Sequence, residues 1–308
     1  MKYSLLTISI KPTLARLILV KLRLVKLTLV KLTFVKLAFI KLAFVKLAFC
    51  CVFLMHCFHA MSVTQDQFKV HGLSAFENEQ AKMLKDWLTQ GVNATRDTLG
   101  VYPTPLALHL YPRESNQPVP WAYTRRDGKG SVHLHVDVRF GLTKFVDDWT
   151  IYHELAHMAL PYLGDEYRWF SEGFASFMQY QIMAQAGLLK GKLVDNYHTK
   201  ISPHLRWFNS DLTAASIATR LMDNQQYPAA YWGGAYFFII ADQLLIKRHS
   251  TTLTELITHY QDCCRTHDKN LADVVTSLDG ILNEALFSRL LEQYENKPAR
   301  EVYPENFE

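Results

Sequence analysis

The residues best equipped for chemistry lie in the segment Ile151-Tyr-His-Glu-Leu-Ala-His157. On a helix, His153 and His157 are four residues apart and stand about 40° from each other, so both imidazoles reach one ion. Glu154 lies about 100° round from His153, near any water held at that ion but poorly placed as a third ligand. The chemistry implied is hydrolysis. Two neutral imidazoles hold zinc, and the adjacent carboxylate of Glu154 takes a proton from water. Ile151, Leu155, Met158 and Ala159 gather on the opposite side of the wheel. One side of the helix therefore packs on a core while the other addresses a cleft.

A catalytic zinc takes three protein ligands and keeps one position for water. Pro161 and Gly164 break the first helix, and a second opens at Trp169-Phe-Ser-Glu172-Gly-Phe-Ala-Ser-Phe177. Glu172, in the first turn of that helix and fifteen residues after His157, is the expected third ligand. Asp165 and Glu166 are its rivals in the intervening loop, eight and nine residues after His157. No histidine or aspartate stands at the metzincin spacing, which favours a glutamate.

The pairing of HELAH with WFSEGFASF resembles the gluzincin peptidases, in particular aminopeptidase N-like and glycyl aminopeptidase-like catalytic domains. Tyr231-Trp-Gly-Gly234, followed by an apolar helix, is similar to the Tyr-x-x-Gly segment of those enzymes. The resemblance covers roughly residues 75–295 and is most specific at 153–177. It implies a thermolysin-like zincin catalytic domain, one zinc per chain, and a peptide or protein substrate. It also implies that the Tyr231 hydroxyl donates to the oxyanion of the tetrahedral intermediate, with Tyr227 as the alternative donor. A GAMEN-type segment, which grips a free amine in the aminopeptidase N group, is missing. The strand SVHLHVD, expected to occupy its place, carries no Glu. Aminopeptidase specificity therefore does not carry over.

The elements that must position these groups read as an α+β chain: a small α/β sheet layer followed by an α-helical half. Strands are expected near 68–70, 105–111 and 130–138, a long amphipathic helix over 75–99, and a Pro-containing loop over 112–120. In the third strand Val132, Leu134, Val136 and Val138 share one face, while His133, His135 and Asp137 share the other, along which a peptide could lie. Exposed histidines on a strand face are more often solvated than functional. Helices are expected over 147–160, 171–186, 210–222, 231–248, 252–264, 270–278 and 281–294. Thr252-Leu-Thr-Glu255 is a capping box for one of these starts. The body divides into an α/β subdomain over 61–146 and a helical zinc-binding subdomain over 147–308.

The chain has 308 residues, 49% hydrophobic and 20% charged, an ordinary globular composition. Its formal charge of +4 conceals an asymmetry. Residues 1–60 hold ten Lys or Arg and no acid, which leaves 23 basic against 29 acidic residues from Met61 onward, a net of −6. An acidic body carries no electrostatic footprint for nucleic acid. Lysines recur at 21, 26, 31, 36, 41 and 46. That five-residue step spirals round a helix and makes no stripe, so the tract reads as low-complexity sequence. The apolar run over 47–58 then fits a secretory signal better than a membrane span of about 20 residues. Export to the periplasm or exterior is expected, with cleavage near Ala60. An uncleaved leader would instead associate with the membrane and anchor the body there. Cys263 and Cys264 are the only cysteines of the body, read as two half-buried residues without a redox role. Two other functions compete with a zinc peptidase. One is a zinc-binding module of the same fold without turnover. The other is a membrane-associated protein whose HExxH is incidental.

Overall fold

The chain forms four strands, β1 (Phe68–His71), β2 (Leu106–Pro112), β3 (Trp121–Arg125) and β4 (Ser131–Val136), with apolar alternation clearest in β2 and β4. The computed structural model describes residues 68–126 and 130–303. The expected leader and its repeat lie outside them. The strand order is β1-β2-β4-β3, with the first three parallel and β3 antiparallel to β4 at the edge. β3 is absent from the expected elements, because five residues with an exposed Trp121 and a charged Arg125 carry too little periodicity to announce a strand.

One face of the sheet, with Leu106, Leu108, Leu110, Val132, Leu134 and Val136, is buried. It joins a core containing Trp87, Leu88 and Val92 of α1 (Asn78–Leu99). The other face holds a row of stacked rings, His71, His109, His133 and Tyr123, one from each strand, with centroids 4.5–4.6 Å apart. His133 is therefore buried rather than solvated, bonded through Nδ1 to Tyr111 Oη and through Nε2 to Ser131 Oγ.

From residue 142 the chain is helical. A separate short helix not expected, α2 (Leu142–Asp147), precedes the expected helix over 147–160, which is shorter, α3 (Thr150–Ala156) continued by a 3₁₀ turn (His157–Ala159). Asp148 causes the break, since its Oδ1 accepts from the Thr150 N–H at 2.8 Å and starts the second helix afresh. There follow α4 (Arg168–Gln185), α5 (Leu193–Ile201), α6 (Ala214–Asp223), α7 (Tyr227–His249), α8 (Leu253–Cys263), α9 (Leu271–Leu282), α10 (Leu286–Asn296) and the short α11 (Ala299–Val302). α5 and the 3₁₀ stretch after it, Ser202–Phe208, are not among the expected helices. The Thr252–Glu255 capping box forms at the start of α8. The architecture is α+β, a small mixed sheet with a mostly helical remainder.

α4 and α7 form the spine of the helical part. They cross where Gly173 meets Gly234, so closely that a Cβ on Gly234 would lie 2.4 Å from the Trp169 carbonyl oxygen. α7 is long and apolar enough to cross a membrane, but most of its apolar window is buried inside the fold, as befits a core helix. Cys263 and Cys264, read as two half-buried residues, instead form a disulfide with each other, which joins chain neighbours and ties no distant segments.

Candidate metal centre and cleft

α3 is entirely buried, so the carbonyls its last turn cannot pair within the helix need partners from outside. Side chains provide them. Thr124 Oγ1 stands 2.8 Å from the Glu154 carbonyl, Tyr102 Oη donates to Leu155 O at 2.6 Å, and Arg265 Nε donates to Met158 O at 3.3 Å. Arg126 donates to His157 O at 3.4 Å and Pro161 O at 3.1 Å, and also to Ser171 Oγ on α4 at 3.0 Å. The end of α3 is thereby tied to the start of α4.

Held this way, His153 and His157 bring their rings to 4.9 Å, nearly perpendicular. Glu172 Oε2 lies 3.2 Å from His153 Nε2 and 3.5 Å from His157 Nε2. Ligand atoms of all three fall within 4.8 Å of one another, and this is the metal-competent group found among the described residues. Asp165 and Glu166 stay in an exposed 3₁₀ turn, where Asp165 accepts from Tyr162 Oη. His153 Nδ1 pairs with Gln179 Oε1 at 2.9 Å. With its proton on Nδ1, the ring turns the Nε2 lone pair toward Glu172, which fixes both orientation and tautomer.

Two imidazole lone pairs facing a carboxylate oxygen call for a cation between them, either a proton or a metal. Electrostatics agree. Burial pushes Glu172 up, but the two histidines outweigh it and hold the carboxyl well below the usual range. Burial depresses His153, yet Glu172 overcomes it and leaves this imidazole raised; in His157 burial wins and the value is lowered. The set of two nitrogens and one carboxylate oxygen fits zinc.

Glu154 does not join the three ligand groups. Its Oε2 lies 2.7 Å from Thr124 Oγ1, so the one hydroxyl that meets its backbone also meets its carboxylate. Tyr231 of α7 stacks at 6.0 Å on the His153 ring. Burial first, and then the charges of Glu172 and Glu154, push its phenol far up, keeping the hydroxyl protonated as a donor. Tyr227 lines only an adjoining pocket, whereas Tyr231 lines the cleft itself. Burial draws Arg126 down to about 10, with Glu172 opposing, so it remains a cation at neutral pH.

The cleft, about 370 Å³, runs between residues 117–126 and the side chains of His153, His157 and Glu172. Its strand wall is β3, not β4, so His133 and His135 lie outside it, contrary to the expected peptide path. The reason is the antiparallel pairing of β3 on the outer edge of β4, which interposes one strand. β3, like β4, carries no Glu. Four residues at the site are absent from the expected set: Thr124, Arg126, Gln179 and Trp149, whose ring meets His153 edge-on at 5.5 Å. The last two had a signal: Gln179 lies seven residues after Glu172 on one helical face, and Trp149 lies four before His153. Thr124 and Arg126 had none.

No protein-family model matches this sequence, and no curated protein matches it. Solved structures similar to it include the M1 zinc metallopeptidase of Deinococcus radiodurans. A mutant of that enzyme bound to a Tyr-Ser-Ala substrate is 16% identical, with a TM-score of 0.44, over 75% of this chain and 46% of that one. The same metallopeptidase in another structure is 17% identical, with a TM-score of 0.41, over 76% and 46%. The chain thus spans less than half the length of these structures.

Proposed function

We propose that this chain is a zinc-dependent peptidase of the gluzincin kind, a thermolysin-like zincin exported behind residues 1–60. The observation that carries the reading is the convergence of His153, His157 and Glu172 on one point, with Glu154 beside them in an open cleft. His153, His157 and Glu172 hold the ion, one per chain. The chemistry zinc supplies at such a set is Lewis acidity toward a carbonyl oxygen and a lowered pKa for water. Glu154 takes the proton of the attacking water and delivers it to the leaving amine. Thr124 holds the Glu154 carboxylate in place for both transfers. Tyr231 donates its phenolic proton in a hydrogen bond to the developing oxyanion, and its raised pKa keeps that proton available. A peptide lies along the edge of β3, whose outer backbone groups no other strand among the described residues occupies.

The test is Glu154→Gln, which preserves size and removes the base. Zinc content and folding are expected to match the parent, while hydrolysis of any peptide the parent cuts falls about 10²–10⁴-fold. Undiminished cleavage would sink the assignment. A parent that holds zinc and cuts nothing in a broad peptide library would identify a binding module instead.

A further inference from the structure

Beside the cleft lies a second cavity of about 440 Å³, and the two share Trp149 and Tyr231 as walls. Gln179, the residue that orients His153, forms part of its lining. The cavity therefore opens within one side chain of a ligand histidine. Its size is near the lower end of small-molecule pockets, roughly 300–1,000 Å³, so it suits one large side chain and not a second peptide.

Three further rings line the cavity, Tyr180, Tyr227 and Trp232, together with Pro228 and Ser176. They are braced, Tyr180 against Trp232 at 5.2 Å and Tyr227 against Tyr231 at 6.1 Å. Rings held in this way offer faces and edges to another ring with little ordering cost. Among the described residues no carboxylate lines the cavity, and the one charged residue there is Lys200 of α5. A basic side chain entering would lose hydration, meet no counter-charge, and face a like charge.

We infer that this cavity is the specificity pocket of the peptidase, taking a Phe, Tyr or Trp side chain next to the scissile bond and rejecting Lys and Arg. The inference rests on the peptidase reading for its location but not for its test.

Two measurements on the full chain separate the two claims. The first needs neither metal nor turnover. Trp149 and Trp232 report occupancy by fluorescence when N-acetyl-phenylalanine amide, N-acetyl-alanine amide or N-acetyl-lysine amide is titrated in. The phenylalanine compound is expected to bind at least about tenfold tighter than either other, since one methylene in an apolar pocket already discriminates by about 10–200-fold. Tyr227→Ala, at a half-exposed helix start, removes one wall and is expected to erase that difference with zinc content unchanged. Lys200→Glu, an exposed reversal, is expected to bring the lysine compound to within about threefold of phenylalanine, because attraction replaces repulsion. The second measurement is kcat/KM on a peptide series varied on each side of the cut, where aromatic residues are expected to exceed Ala by about 100-fold on one side. Equal binding of the three amides, or cleavage with no aromatic preference on either side, overturns the pocket. Aromatic-selective binding by a parent that cuts none of the peptides leaves the pocket standing and overturns the peptidase reading.

Discussion

Replacing Gly234 by Ala tests whether the α4–α7 crossing sets the geometry of the site. The new Cβ would stand 2.4 Å from Trp169 O and 3.1 Å from Gly173 Cα. Both obstacles are backbone, so no side chain can swing away, and the helices must part by about 1 Å to restore normal contact. A gap of about 0.5–1 Å forfeits a quarter to a half of each dispersion contact, and overpacking of this kind costs about 1–3 kcal/mol. Alanine returns up to about 1 kcal/mol of helix propensity. The net expectation is a loss of about 2 kcal/mol, or about 4–8 °C in Tm for a body of this size. Gly280 in α9 is the control, because a Cβ there meets nothing within 4 Å. Gly280→Ala is expected to gain about 0.5–1 kcal/mol. Urea unfolding at constant m-value reads both. The crossing lies one residue from Glu172 and three from Tyr231, so Gly234→Ala is also expected to slow turnover by up to about 10²-fold with zinc still bound. If Gly234→Ala stabilised the protein as Gly280→Ala does, the crossing would not be tight and the reasoning would fail.

Glu172→Gln is expected to weaken zinc affinity at least tenfold by chelator competition, while Asp165→Asn and Glu166→Gln change it less than threefold; the reverse order would move the ligand into the exposed turn. Thr124→Val is expected to lower kcat about tenfold, with zinc content and KM near the parent and with rescue by Thr124→Ser; a valine variant of full activity would free Glu154 from that contact. Zinc affinity depends on pH in a defined direction. His153 is raised above 6.5, so it holds a proton that zinc must displace. The Kd is therefore expected to rise about tenfold per pH unit as pH falls below that raised value, and to level off above it. A Kd flat through pH 6–7 would contradict the proton-sharing cluster.

Much of the centre was legible because its parts are local. A four-residue helical step fixes His153 against His157 wherever the helix goes, and Pro161 with Gly164 marks where it must end. The helical run that follows the last strand is announced by a change in apolar period from two to 3.6. The Thr252–Glu255 box acts within one turn and needs no distant partner.

What the tertiary structure alone decided is the wall opposite the ligands and the rigidity of the site. β3 is a strand because β4 offers it an edge, and its five residues hold no pattern that declares this in isolation. Thr124 meets Glu154 across thirty positions, and Arg126 spans to Ser171 across forty-five. Gly234 is needed only because α4 passes over it. A helix sets the relative placement of residues three or four apart through its own hydrogen bonds. Contacts between residues thirty or more apart depend on how whole elements pack, and the same short polar segment can serve as strand, loop or wall according to what it packs against.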